Sequence, residues 1–131
     1  MKLAIGGYAQ GKLDAVLECG QVMRPVIFDG VLPEEKQLKT IEKDQSVIID
    51  HFHLWVRERL LDGGTPEEEI YAFLKHDIEC IIISDEIGNG IVPADAFERE
   101  YRERTGRLLV ELADRADEVV RVICGIAQKI K

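Results

Sequence analysis

Two hydrophobic periods alternate along the chain. Short apolar runs occupy residues 3–5, 25–28, 46–50, 79–84 and 118–124, each bounded by turn residues or charges. Runs of this length, with no regular polar interruption, predict strands buried on both faces of a parallel sheet. Between them lie stretches with helical spacing. Lys12–Glu18 carries Leu13, Val16 and Leu17 on one side, and Gly20 follows as a stop. Residues 51–61 carry Phe52, Trp55, Val56 and Leu60, and Asp62-Gly63-Gly64 ends them. Thr65-Pro66-Glu67-Glu68 is a helix start, with a capping Thr, Pro at the first position and Glu three residues on. Ile70, Phe73 and Leu74 give that helix its apolar stripe. The longest helical stretch is 94–114, with Phe97, Tyr101, Leu108, Leu109 and Leu112 toward the core; on its solvent faces Glu98–Arg102 and Glu100–Arg104 are spaced for ion pairs.

Residues 127–130 predict a short last strand, antiparallel to its predecessor across Gly125. Residues 31–45 are polar, with Leu32, Leu38 and Ile41 as their main apolar points, and Pro33-Glu34 can open a helix there. The order predicts an α/β layer sandwich with a mostly parallel sheet and a C-terminal antiparallel hairpin.

Composition narrows the function classes. The 131 residues suit one domain. Nothing approaches a membrane span, and the N-terminal apolar run is too short for a signal peptide, so a cytoplasmic protein is expected. A net charge of −8 excludes nonspecific nucleic-acid binding, which needs a basic face. Cys19, Cys80 and Cys124 are widely separated, which indicates neither a zinc site nor a disulfide framework. They are expected to be small buried hydrophobes.

Gly6, Gly11 and Lys12 have the spacing of a phosphate-binding loop, G-x-x-x-x-G-K, between a strand and a helix. Small residues let successive N–H groups curl around an anion, and lysine supplies a mobile cation. The loop Gly6, Gly7, Tyr8, Ala9, Gln10, Gly11, Lys12 and Leu13 is therefore the candidate nucleotide-binding segment. Leu13 stands where such loops carry Ser or Thr, whose hydroxyl binds Mg²⁺. The other reading is an ordinary strand-to-helix turn.

Asp50 ends an apolar strand, the usual place for an acid that helps hold Mg²⁺; it is equally placed to cap the next helix. Residues 79–84 lead into Asp85-Glu86 and a glycine-rich loop, again at a strand's carboxyl end, where ligands sit in open α/β sheets. His51 and His53, two apart, are expected to point to different faces of a helix.

Residues 84–93 (SDEIGNGIVP), 101–119 and 125–131, with the GGYAQGK loop, resemble the adenosylcobinamide kinase / adenosylcobinamide-phosphate guanylyltransferase family of cobalamin biosynthesis. The resemblance implies a P-loop fold related to RecA-like kinases and a homo-oligomer, a trimer in the family. It implies ATP or GTP with Mg²⁺, and phosphorylation of the aminopropanol hydroxyl of adenosylcobinamide. It also implies GMP transfer through a guanylylated histidine. Lys12, Asp50 and Glu86 become the candidate catalytic residues, with Asp50 the metal ligand. Two departures stand out: Leu13, and a shortened segment 31–45 that contains no histidine. Guanylyl transfer is therefore not expected, and two functions remain open. One is a reduced kinase. The other is an inactive nucleotide- or corrinoid-binding paralogue serving as a regulatory or structural subunit.

Overall fold

A computed structural model describes residues 1–131. The chain forms β1 (Lys2–Gly6), α1 (Lys12–Glu18), β2 (Val26–Asp29), α2 (Glu35–Leu38), β3 (Val47–Asp50), α3 (Phe52–Leu61), α4 (Pro66–Leu74), β4 (Cys80–Asp85), α5 (Ala96–Arg115), β5 (Glu118–Ile123) and β6 (Ile126–Lys129). The six strands make one sheet in the order β2-β3-β4-β1-β5-β6. All pairs are parallel except β5–β6. The architecture expected from the apolar runs is the one observed.

Successive strand residues face opposite sides, so each unbroken apolar run serves two cores. Leu3, Val47, Ile49, Ile82 and Val119 pack on one face under α3, α4 and α5, against Phe52, Trp55, Ile70 and Leu108. Ala4, Ile48 and Ile83 face the other way, onto Val16 of α1, with Leu13 and Leu17 beside it. The layers are thus α1, sheet, and the three longer helices.

Register fixes the functional edge. Gly6 is opposite Asp85, and Asp29 is opposite Asp50. Four neighbouring parallel strands therefore end together in Asp29, Asp50, Asp85 and Gly6. The β5–β6 turn, with Cys124 at φ 50° and Gly125 at φ 76°, is a two-residue hairpin loop of the left-handed kind that matches strand twist.

Several local expectations give way to tertiary partners. Thr65 makes no side-chain cap to α4, although Pro66 occupies the first turn. Glu34 and Gln37 do form a reciprocal capping box on α2. Glu98 pairs with Arg57 of α3 instead of Arg102. Arg102 binds the carbonyls of Gly88, Gly90 and Ile91, strapping the glycine-rich loop to α5. Glu100–Arg104 forms as expected, at 3.2 Å. Among the cysteines only Cys80 is buried; Cys19 ends α1 and Cys124 lies in the hairpin turn, both exposed because surface turns offer no core to enter.

Candidate functional site

The loop after β1 is held open by backbone geometry. A Cβ on Gly6 would stand 2.5 Å from the Val122 carbonyl oxygen, so only glycine lets β1 leave the sheet this close to β5. Gly11 enters α1 at φ 77°, a left-handed conformation that glycine adopts without penalty. The hairpin braces the loop from outside. Gly125 N–H donates to the Gln10 carbonyl at 2.8 Å, and Cys124 N–H donates to Gln10 Oε1 at 2.8 Å. None of the main-chain N–H groups of Tyr8, Ala9, Gly11, Lys12 and Leu13 has an acceptor within the chain. Consecutive N–H groups left free in a tight loop form an anion-binding concavity.

Lys12 is buried beneath this loop. Its Nζ donates to the Gly7 carbonyl at 2.7 Å and pairs with Asp85 Oδ1 at 2.6 Å. Leu13, the next residue, packs toward Ala4 and Val16 and offers no donor atom. The loop, Lys12, Asp14, Asp50, His51, His53 and Asp85 border one cavity of about 550 Å³. That volume lies within the range of ordinary ligand sites.

The histidines are not separated as helical spacing suggests. His51 lies outside α3, as its N-cap at φ 50° and ψ 44°, and only His53 is helical. The left-handed turn brings the two rings to 5.8 Å between centroids. His53 Nδ1 accepts the Asp85 main-chain N–H at 3.1 Å, its Nε2 lies 3.3 Å from Asp85 Oδ2, and Tyr101 donates its hydroxyl to the His53 carbonyl at 2.8 Å. Burial pushes the His53 pKa down, against the pull of Asp85, so the ring is neutral near pH 7. Nδ1, as an acceptor, leaves the proton on Nε2. His51 has the opposite balance. Its Nδ1 bonds Asp29 Oδ1 at 2.5 Å, and that bond, with the charges of Asp50, Asp29 and Asp85 adding to it, raises its pKa despite partial burial.

Asp50 accepts the His51 main-chain N–H at 2.8 Å, so it relieves the start of α3 while lining the cavity. Both sequence readings of Asp50, edge acid and helix-start acceptor, describe where it sits. Glu86 turns away: its carboxylate pairs with Arg121 of β5 at 3.2 Å, and the acid beside Lys12 is its neighbour Asp85. Strand alternation explains this, since adjacent residues leave β4 on opposite sides. Asp85 and His53 line this cavity and Asp29 stands beside it, bonded to His51; the sequence reading selected none of the three as site residues. The recurrent signal was an apolar run ending in Asp, present three times, at Asp29, Asp50 and Asp85.

A divalent cation accompanying a nucleotide has donors here although Leu13 supplies none. Ligand atoms of Asp29, Asp50 and His51 lie within 4.8 Å of one another. The residues present fit such an ion.

The fold and this edge define an α/β protein with the architecture of the P-loop class. The sequence model of the cobinamide kinase / cobinamide phosphate guanyltransferase family matches residues 21–130. The chain belongs to that family. The matched residues include Asp29, Asp50, His51 and Asp85 and begin after the glycine-rich loop. The chain is similar to two proteins named bifunctional adenosylcobalamin biosynthesis protein CobU. It is 43% identical over 53 residues to that of Salmonella typhimurium and 41% identical over 53 residues to that of Escherichia coli. Each match covers 40% of this chain and 29% of the relative's length.

Proposed function

We propose that this chain binds a nucleoside triphosphate, ATP or GTP, through residues 6–13 and performs the kinase half of its family's chemistry. The acceptor is the aminopropanol hydroxyl of adenosylcobinamide. The observation that carries the reading is the run of acceptorless N–H groups around buried Lys12. An anion placed there gains several donors at once, and Lys12 can exchange its contact with Asp85 for the terminal phosphates.

In this reading Asp85 replaces Glu86 as the second carboxylate. Freed from Lys12 and oriented by His53, it accepts the proton of the substrate hydroxyl as that oxygen bonds the terminal phosphorus. The bond to the bridging oxygen breaks, and the nucleoside diphosphate leaves. Asp50 holds Mg²⁺, which when bound neutralises phosphate charge. Phosphoryl transfer depends chiefly on positioning and charge, so loss of the hydroxyl at position 13 weakens it without removing its basis. The family's homo-oligomer is proposed for this chain too.

Calorimetry with ATP and GTP tests the binding. Lys12→Ala lowers affinity at least tenfold; equal affinity in the two proteins would remove the loop from the site. Incubation with GTP, Mg²⁺ and adenosylcobinamide tests turnover. Leu13 and the histidine-free segment favour a second reading, an inactive binding paralogue, and nucleotide binding without phosphorylated product would establish it. No histidine acquires a GMP adduct under these conditions, as read by intact-protein mass spectrometry.

A further inference from the structure

We infer that Gln10 is a positioning residue that makes the C-terminal hairpin part of the phosphate-binding site. It clamps the loop to the β5–β6 turn and so aims the loop's N–H groups at the ligand. Three hydrogen bonds radiate from it. Its carbonyl accepts the Gly125 N–H at 2.8 Å, and its side-chain Oε1 accepts the Cys124 N–H at 2.8 Å. Its side-chain Nε2 donates to the Tyr8 carbonyl at 3.3 Å. In a trans peptide the C=O of one residue and the N–H of the next point in opposite directions. Holding the carbonyls of Tyr8 and Gln10 therefore fixes where the N–H groups of Ala9 and Gly11 point. Those two are among the N–H groups without an acceptor in the chain.

The clamp is anchored on both sides of the loop. β5 pairs with β1, directly before it. Ala127 of β6 shares a small apolar cleft with Ala15 and Val16 of α1, directly after it. A Cβ on Gly11 would stand 3.4 Å from Gly125 Cα, so loop and turn lie in close contact. The left-handed turn residues Cys124 and Gly125 present two successive N–H groups to one partner. The loop's other hold is Lys12, whose Nζ bonds the Gly7 carbonyl at 2.7 Å. In the nucleotide reading Lys12 leaves for the terminal phosphates, whereas Gln10 keeps its bonds and the loop its shape. A loop ordered beforehand binds more tightly, because less ordering remains to oppose binding. The loop motif leaves position 10 open to any residue, so this role follows from the chain's own contacts.

The inference deepens the nucleotide reading and rests on it for the ligand alone. Its test compares the full-length parent with Gln10→Met, close in length but without either bonding group, and Gln10→Glu, which keeps an acceptor oxygen for the Cys124 N–H. Amide exchange and ¹⁵N relaxation are measured without ligand. In Gln10→Met, Cys124 exchanges at least fivefold faster and the order parameters of residues 8–11 fall below about 0.6, the flexible range. In Gln10→Glu the Cys124 amide keeps its protection. Amides of the central strands, such as Ile49 and Ile82, stay slow in both variants. Calorimetry with ATP then shows affinity about three- to tenfold lower in Gln10→Met, the loss that one hydrogen bond carries. Unchanged Cys124 exchange in Gln10→Met, equal loosening in Gln10→Glu, or a loosened loop with undiminished ATP affinity would overturn the inference. So would exchange that quickens equally in the central strands, since Gln10 would then serve general stability. A parent that binds no nucleotide removes the nucleotide reading, and the ligand-free measurements still decide whether Gln10 orders the loop.

Discussion

Gly6 shows how one missing methyl group shapes the loop. The Cβ of an alanine there would meet main-chain oxygen at 2.5 Å, and a carbonyl held in β5 cannot step aside cheaply. Gly6→Ala is expected to destabilise by about 1–3 kcal/mol, the usual cost of overpacking, read as a lower urea midpoint. Nucleotide affinity falls with it, because β1 must shift away from the loop. At the same scale, the three thiols separate by environment. Burial pushes the Cys80 thiol up to about 12, while Cys19 and Cys124 are exposed. Brief alkylation at pH 8 should modify Cys19 and Cys124 and spare Cys80 until urea unfolds the chain, because only the thiolate reacts. Rapid labelling of Cys80 in the folded protein would contradict the packing of β4.

At the scale of elements, α5 is tied to its neighbours by ion pairs that sequence spacing alone does not reveal. Arg104 grips Glu67 of α4 through two bonds, Nε to Oε1 at 2.9 Å and Nη2 to Oε2 at 2.7 Å. Arg104 holds the Glu67 carboxyl below its ordinary value of 4.5. A carboxylate depressed in the folded state contributes stability above its unfolded pKa and loses it as pH falls through the folded value. Glu67→Gln should therefore cost about 0.5–1 kcal/mol at pH 7, as partly exposed pairs do. The difference from the parent should vanish under acid conditions, where Glu67 is protonated in both states. A difference constant with pH would mean that the side chain acts by packing. Arg102 illustrates the same rule without an acid. Three loop carbonyls fixed near one guanidinium outcompete a solvated i,i+4 partner worth only a few tenths of a kcal/mol.

For the whole molecule, stability rests on the larger core, on the face opposite α1. Phe52 is fully buried and stacks on Trp55 at 5.3 Å between centroids. Phe52→Ala should cost about 3–5 kcal/mol, and the chain's one tryptophan, Trp55, reports the unfolding by fluorescence. Phe52 also adjoins His51 in sequence, so this core anchors the start of α3 and with it the cavity edge. The same residue thus links packing to the site. A Phe52→Leu variant, which keeps most of the volume, should retain nucleotide binding at a modest stability cost.

The sequence by itself determined the elements and the class of sheet. Unbroken apolar runs such as 47–49 and 81–83 can be buried only on two faces, and glycines at 6 and 11 mark a loop whatever surrounds it. It also located Asp50 and Lys12, because a strand end and a loop motif are local patterns. Tertiary structure alone decided the partners. Whether Asp85 or Glu86 enters the cavity depends on strand parity against β1, and Asp29 joins Asp50 only because β2 and β3 pair in register. His51 meets Asp29 across 22 residues through a left-handed turn that helical spacing does not foresee. Periodicity reports which residues are buried along one segment; contacts between segments follow from register and from competition among distant charges, and neither is written in any single stretch of chain.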